Sequence, residues 1–279
     1  MTTTGQLVLA ATPIGNISDA SPRLRELLAT ADVIAAEDTR KAMNLMGALG
    51  IEHHGLVLSH FDANEVGRIP QLIDMLKAGK TVVVISDAGM PTVSDPGFRI
   101  VQAAVDSGIS VTAAPGPSAV TTALALSGLP TDRFSFEGFL PRKAGERQQT
   151  LQQLISEVRT MVFFESGQRI ADTIADMAQV FGNDRKAALC RELTKTHEEV
   201  IRGSLAELQK RLEQEILGEI TLVVAGGDFS EQEFDVESLA ADLLSRGMSS
   251  KTVVGHLVDK IGMGKREAFN LVVRLKPDK

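Results

Sequence analysis

The chain of 279 residues has one cysteine, no tryptophan, no tyrosine and no excess of positive charge. A lone Cys190 forbids an internal disulfide and a structural zinc site built from several thiolates, and it fits a reducing compartment. It follows Ala187, Ala188 and Leu189 and reads as an inert packing residue. Eleven phenylalanines are the whole aromatic complement, too few for a protein that coats single strands by stacking base after base. The net charge of −7 argues against indiscriminate nucleic-acid binding, which needs a broad positive surface, but leaves room for a local basic patch. No apolar run approaches the roughly 20 residues of a membrane span. The first residues carry neither the basic start nor the apolar core of a secretory signal. A soluble cytoplasmic protein with no membrane partner is the expectation. The histidines do not gather: His53 and His54 are adjacent, while His60, His197 and His256 have no spaced partner, so no metal is expected. Neither a G-x-G-x-x-G fingerprint nor a P-loop occurs, which leaves the usual nicotinamide and nucleoside-triphosphate sites without support.

What is present is a rhythm. With 43% apolar and 23% charged residues the chain is globular, and a chain this long buries about 75% of its unfolded surface without staples. Leu7 to Ala11, Val33 to Ala36, Thr81 to Ile85 and Ile109 to Ala113 read as strands. Between them, helices are expected from Ser21-Pro22 with its Leu24, Leu27, Leu28 stripe, over Asp38 to Leu49, over Ile69 to Lys77, and from Asp95-Pro96 through Val105. The alternation points to an α/β fold with a largely parallel sheet, whose ligands bind at the carboxyl ends of the strands. A second half repeats the rhythm with strands at Phe134 to Phe139, Met161 to Phe164, Ala187 to Arg191 and Glu219 to Ala225, and helices at Ile170 to Phe181 and Leu205 to Leu212. Shorter connections there imply more antiparallel pairing. The expected division is residues 1–117 as one α/β domain, 118–227 as a second with a cleft between them, and 228–279 as an acidic linker followed by a small helical extension. In that extension, residues 251–279 carry seven Lys and Arg against three Asp and Glu. Two readings of it stay open: an RNA-touching tail, or a packing and dimerisation element.

Three strand-following loops are richer in Gly, Pro, Ser and Asp than a connection needs. They are Ala11-Thr12-Pro13-Ile14-Gly15-Asn16, Ser86-Asp87-Ala88-Gly89-Met90-Pro91 running on through Val93 to Ser94-Asp95-Pro96-Gly97, and Pro115-Gly116-Pro117-Ser118-Ala119. Singly each is a turn with a helix cap; converging on one rim they read as a ligand site. A second group is basic and polar: Glu37-Asp38-Thr39-Arg40-Lys41, Ser59-His60-Phe61-Asp62-Ala63-Asn64, Leu140-Pro141-Arg142-Lys143, Glu165-Ser166-Gly167-Gln168-Arg169 and Arg191-Glu192-Leu193-Thr194-Lys195. Together at strand ends they fit a polyanionic substrate held by Arg and Lys.

The segments TPIGN at 12–16, AEDTR at 36–40, SDAG and SDPG within 86–97, PGPSA at 115–119, GFLPRK at 138–143 and RELTK at 191–195 resemble the ribosomal RNA small-subunit methyltransferase I family of the tetrapyrrole methylase superfamily. The match runs in order over roughly residues 7–227. The resemblance implies two α/β domains of the tetrapyrrole methylase type with S-adenosylmethionine in the interdomain cleft. It also implies methyl transfer to the ribose 2′-hydroxyl of a cytidine in the decoding region of 16S rRNA, with the assembled small ribosomal subunit as substrate and a homodimer as the acting form. The same fold serves porphyrin and corrin precursors, and a non-catalytic ribosome-assembly factor is the rival from another class.

Carried over by position, Pro13, Ser86, Asp87, Ala88, Met90, Ser118 and Ala119 match the cofactor loops, and Gly15, Gly89 and Val93 lie in the same loops. Asp38, Arg40, Arg142, Lys143 and Lys195 match family-specific positions absent from the porphyrin methylases, which the resemblance assigns to RNA. The whole expected substrate-binding set is Asn16, Arg40, Lys41, His60, Asn64, Arg142, Lys143, Arg169 and Arg191. A ribose hydroxyl must lose its proton as it attacks, so a general base is expected among Asp38, Glu37, Lys195 and Glu198, with Asp38 ranked first. The chain departs from the family where Glu165-Ser166-Gly167-Gln168-Arg169 stands for ESPHR, where His60-Phe61-Asp62-Ala63-Asn64 stands in place of a segment in which a second His or Glu is common, and where Leu217-Gly218-Glu219 stands for Lys-Gly-Glu. These changes touch RNA docking and spare the cofactor loops.

Overall fold

Short runs of β-branched and small apolar residues build the first sheet from β1 (Gln6–Ala10), β2 (Val33–Ala36), β3 (Leu56–Ser59), β4 (Thr81–Ile85) and β5 (Ser110–Ala114). The computed structural model describes residues 5–212, 217–227, 236–245, 248–261 and 263–275. The strand order is β3-β2-β4-β1-β5 and every pair is parallel. Parallel neighbours need crossovers, and these are the helices α1 (Pro22–Thr30), α2 (Thr39–Ala48), α3 (Asp62–Lys77) and α4 (Phe98–Asp106). They cover both faces. Val8, Ala10, Ile34, Val83 and Ile85 pack with Leu24, Leu28 and Met46 of α1 and α2. The alternate residues Leu7, Val33, Ala35, Val82 and Val84 pack with Leu72, Leu76, Ile100 and Ala104 of α3 and α4. Two dry faces are why these strands read as continuous apolar runs.

The helix boundaries follow local chemistry. Ser21 Oγ accepts from the Leu24 N–H and Pro22 takes the first helical position of α1. Gly50 and Gly108 hold φ of +67° and +66° just beyond α2 and α4, the left-handed stop that a side chain disfavours. Two expectations are corrected. Helix α4 opens at Phe98 and not at Asp95-Pro96, because Ser94 and Gly97 take φ of +62° and +126° and keep 94–97 a loop. Helix α3 opens at Asp62 and carries Pro70 inside it, because Asn64 Oδ1 accepts the Phe61 N–H and closes its first turn.

After α5 (Ala119–Ser127) the second sheet forms from β6 (Phe134–Phe139), β7 (Thr160–Ser166), β8 (Lys186–Arg191), β9 (Glu199–Ser204) and β10 (Glu219–Val224), with α6 (Ala144–Gln153), α7 (Ile170–Phe181) and α8 (Leu205–Arg211) between them. Its order is β6-β7-β10-β8-β9, with β6 and β7 parallel and the other pairs antiparallel. One face buries Met161, Phe163, Leu189 and Leu222 against α7 and α8. The other lays Val162, Ala188, Cys190 and Val223 against Val120, Ala123 and Leu124 of α5. The short β3, the polar α6 and β9 had no sequence signal: β3 has four residues with Leu56 exposed, and α6 buries Arg147 and Leu151.

Residues 1–227 form one compact unit and 228–279 a second. In the second, α9 (Val236–Ser245), α10 (Ser250–Ile261) and α11 (Lys265–Arg274) close a small core of Ala240, Val253, Leu257, Ala268, Leu271 and Val272. Lys251, Lys265 and Arg266 are exposed on it. Of the acidic linker expected to begin at residue 228, residues 228–235 lie outside the described residues. Among the described residues no helix is long and apolar enough to cross a membrane.

Candidate functional site

The loops after β1 and β4 are clipped together. Thr12 and Gly89 exchange backbone hydrogen bonds of 2.9 and 3.1 Å, and Thr12 Oγ1 donates to the Ser86 carbonyl at 3.2 Å. Gly89 takes φ of +83°, which is open to glycine at little cost. Ser86, expected in the cofactor set, is buried and donates to the carbonyls of Ala88 and Gly89, so it folds the turn. Asp87 joins this loop to the one after β2: its N–H donates to Glu37 Oε2 at 3.1 Å, its Oδ1 accepts the Asp38 N–H at 3.2 Å, and its Oδ2 meets Lys41 Nζ at 2.8 Å. That ion pair holds the Lys41 ammonium above its ordinary pKa.

A cavity of about 410 Å³ opens where these loops face β7, β8 and β10, a volume suited to a small-molecule ligand. Ala88, Gly89, Met90, Val93, Ser118 and Ala119 line it, as does Asp87. Pro13 does not: it borders a recess of about 50 Å³ beside Asp38 and Ser86. Gly15 also stands back from the cavity. A Cβ there would lie 2.4 Å from Lys195 Cγ, so its glycine lets the first loop press against the RELTK segment, and the Asn16 N–H donates to Thr194 Oγ1 at 3.0 Å. The lining combines apolar side chains of Ile14, Phe164, Cys190 and Leu193 with the carboxylate-bearing Glu37, Asp95, Glu165 and Glu219, and Phe139 joins it while staying largely exposed. Burial pushes the Cys190 thiol up to about 11, so it stays protonated. Among the described residues, the non-glycine residues with left-handed φ are Thr92, Ser94, Glu192 and Thr194. They fall in two segments bordering this cavity, and each such residue costs of order 1 kcal/mol.

Three of the four expected bases are placed for other work. Asp38 caps α2, and the side-chain hydrogen bonds from Arg40 hold its carboxyl down at about 2. So weak a base is a poor proton acceptor at neutral pH. It also lies outside the cavity lining. Burial pulls Lys195 down, but hydrogen bonds to Glu219 at 2.8 Å and Glu192 at 2.9 Å outweigh it, and the net shift is upward. A lysine held protonated cannot take a proton. Glu198 is exposed and accepts the Thr194 N–H at 2.6 Å. Glu37 is the candidate that lines the cavity.

The expected substrate set is likewise sorted. Arg40 and Lys41 are exposed, Arg40 paired with Asp38 and Lys41 with Asp87 of the cavity lining. Arg142 and Lys143 stand in solvent, with Lys143 3.0 Å from Glu146. His60 is a correction: it is 1% exposed, 3.7 Å from Glu65, and burial pushes its pKa down, so it offers an external anion neither access nor charge. Asn64 is spent on capping α3, with its Nδ2 on Ser59. Arg169 turns inward, donating to the carbonyls of Leu140 at 2.8 Å and Pro141 at 3.1 Å and pairing with Glu165 at 3.3 Å. Arg191 holds the Leu217 carbonyl at 2.7 Å. Phe139 and Phe164 went unnoticed as site residues in the sequence because apolar strand residues look alike whether they face a core or a cavity.

The chain is similar to known proteins in sequence and in fold. Residues 6–209 match the model of the Tetrapyrrole (Corrin/Porphyrin) Methylases. The chain is 56% identical over 275 residues to a protein of Mycobacterium bovis named ribosomal RNA small subunit methyltransferase I, covering 97% of this chain and 95% of that one. It is 43% identical over 223 residues to a Thermotoga maritima protein of the same name, covering 80% and 99%. In fold it is similar to a uroporphyrin-III C-methyltransferase from Thermus thermophilus complexed with S-adenosylhomocysteine, at 16% identity and a TM-score of 0.52 over 78% of this chain and 96% of that one.

Proposed function

Since the chain belongs to the tetrapyrrole methylase family, among the ribosomal RNA small subunit methyltransferase I proteins, we propose that it moves a methyl group from S-adenosylmethionine to the ribose 2′-hydroxyl of a cytidine in the decoding region of 16S rRNA. The small ribosomal subunit is its substrate, and a cytoplasmic homodimer its working form. The observation that carries the cofactor half of this reading is the 410 Å³ cavity, whose lining combines apolar side chains with carboxylates. Its chemistry suits a ligand that combines an adenosine with a sulfonium and an ammonium. Met90, Val93, Ser118 and Ala119 would hold it, with the Asp87 carboxylate beside them. Pro13, Gly15 and Ser86 act as the frame of that site.

When bound, S-adenosylmethionine supplies an electrophilic methyl carbon on a sulfonium. The chain's own residues have two tasks. The first is alignment, because an in-line displacement depends on the geometry in which the acceptor oxygen is held. The second is to take the hydroxyl proton, which we assign to a carboxylate oxygen of Glu37. Asp38→Asn is accordingly expected to keep turnover within about twofold and to leave the pH–rate profile unchanged, since asparagine caps a helix as well as aspartate does. A rate loss of a hundredfold in that variant would return the proton to Asp38.

Arg142 and Lys143 are exposed and face no buried partner, and a solvent ion pair such as Lys143–Glu146 is worth about 0–1 kcal/mol. They are assigned to phosphates. The Arg142→Ala, Lys143→Ala double variant should raise the KM for small subunits about tenfold and make the salt dependence shallower by about two phosphate contacts, with S-adenosylmethionine affinity unchanged. Equal loss of both affinities would refute the division of labour.

The deciding assay supplies labelled S-adenosylmethionine with unmodified small subunits, and with a porphyrin precursor in parallel. Label in a 2′-O-methylated cytidine is the expected result. Label in the porphyrin alone would reassign the acceptor, and label in neither would favour an assembly factor.

A further inference from the structure

We propose that Phe139 is the surface on which the acceptor nucleobase stacks, a role that rests on the rRNA reading above and gives it a recognition element. In an unbroken strand, residues three apart point to opposite faces, so Phe136 and Phe139 of β6 should not share a neighbour. They do share one. The pairing of β6 with β7 slips between Phe136 and Gly138, and Gly138 takes φ of +66°. This bulge adds a residue and turns the end of the strand, as bulges beside functional sites do. Both rings then reach Phe164, with centroids at 4.9 Å from Phe136 and 5.5 Å from Phe139. Phe136 and Phe164 are partly buried, whereas Phe139 is 59% exposed and, with Phe164, lines the cavity.

The backbone beyond Phe139 is held by two inward arginines. Arg169 donates to the carbonyls of Leu140 and Pro141 and is tethered by Glu165, whose own oxygens accept from the Ser166 N–H and Thr173 Oγ1. Arg147 donates to the Arg142 carbonyl at 3.3 Å and is tethered by Asp176 at 2.6 Å. Neither arginine is a ligand for substrate. Their effect is to fix the segment 139–143 while its side chains Phe139, Arg142 and Lys143 remain in solvent. A fixed ring on the cavity lining, three and four residues before two exposed cations, one of them in a solvent ion pair with Glu146, matches an unpaired nucleotide: the base lies on the ring and the flanking phosphates on the cations. The ordering cost has been met in advance by the fold. The other aromatic on the cavity lining, Phe164, is partly buried, so the exposed ring of Phe139 reads one splayed base there and not a strand.

The test compares Phe139→Ala, Phe139→Leu and Phe139→Trp for methyl transfer to unmodified small subunits, with S-adenosylmethionine affinity measured on the free proteins by calorimetry. The alanine and leucine variants should lose about tenfold or more in kcat/KM for subunits, the range of one lost base stack. The tryptophan variant should stay near wild type, and all should bind S-adenosylmethionine within about twofold. A leucine variant as active as wild type would overturn stacking, and an alanine variant that binds S-adenosylmethionine as poorly as it turns over would move Phe139 into the cofactor site. Both outcomes leave the rRNA reading intact. Wild-type protein that labels only a porphyrin precursor would end that reading and the base-stacking role with it.

Discussion

Asp176→Ala is expected to lower the midpoint of thermal unfolding by roughly 10 °C, the equivalent of about 3–5 kcal/mol in a unit of this size. Asp176 and Arg147 are both nearly buried and meet at 2.6 Å, and Gln148 Nε2 donates to the second Asp176 oxygen at 2.7 Å. Removing the carboxylate leaves a guanidinium in the interior without its counter-charge, and that penalty exceeds what the pair itself contributes. The same loss frees Arg147 from the position in which it holds the Arg142 carbonyl, so the segment carrying Arg142 and Lys143 loosens as well. An Arg147→Met, Asp176→Leu double variant separates the two effects. Well-packed apolar replacements should restore most of the unfolding temperature by calorimetry, while the KM for small subunits stays high. A double variant normal in both would mean that the pair serves stability alone.

Glu37→Gln is expected to lower kcat by about a hundredfold, or close to 3 kcal/mol of barrier, the lower end of what a positioned base contributes. The substitution is gentle on structure, since a glutamine oxygen still accepts the Asp87 N–H that Glu37 now holds at 3.1 Å. S-adenosylmethionine affinity should therefore change little. The pH–rate profile carries the decisive signature. The wild-type profile should show an acid limb, and the glutamine variant should lose it. A variant that keeps the rate within a few-fold, or keeps the acid limb, would leave proton removal to solvent or to the substrate itself.

Much of the fold was legible because its signals are short-range. The Thr81–Ile85 run, the Ser21-Pro22 cap and the Gly50 and Gly108 stops each depend on a few neighbouring residues, and each is realised. The misread boundaries are those where a partner outside the local pattern decides. Pro96 looked like a helix start, but Glu65, some thirty residues earlier, accepts the N–H groups of Gly97 and Arg99 and sets the helix further on. Strand β9 became visible only through its pairing with β8.

The site was legible in its loops and not in its charges. Thr12 to Asn16, Ser86 to Met90 and Pro115 to Ala119 could be placed at strand ends from periodicity alone, and they do meet around one cavity. Asp38, Lys195, His60, Arg169 and Arg191 could not be sorted in that way. Asp38 is silenced as a base by Arg40, only two residues away but brought back by the turn of the helix. Lys195 is claimed by Glu219 and Arg169 by the Leu140 carbonyl, each more than twenty residues distant. The amino-acid order therefore settles which segments become strands, helices and ligand loops, because backbone preference and hydrophobic period are sums over near neighbours. Three-dimensional packing settles which acid is spent on a helix cap, which arginine faces inward and that Phe139 stays exposed, because ionisation, pairing and exposure are sums over neighbours in space.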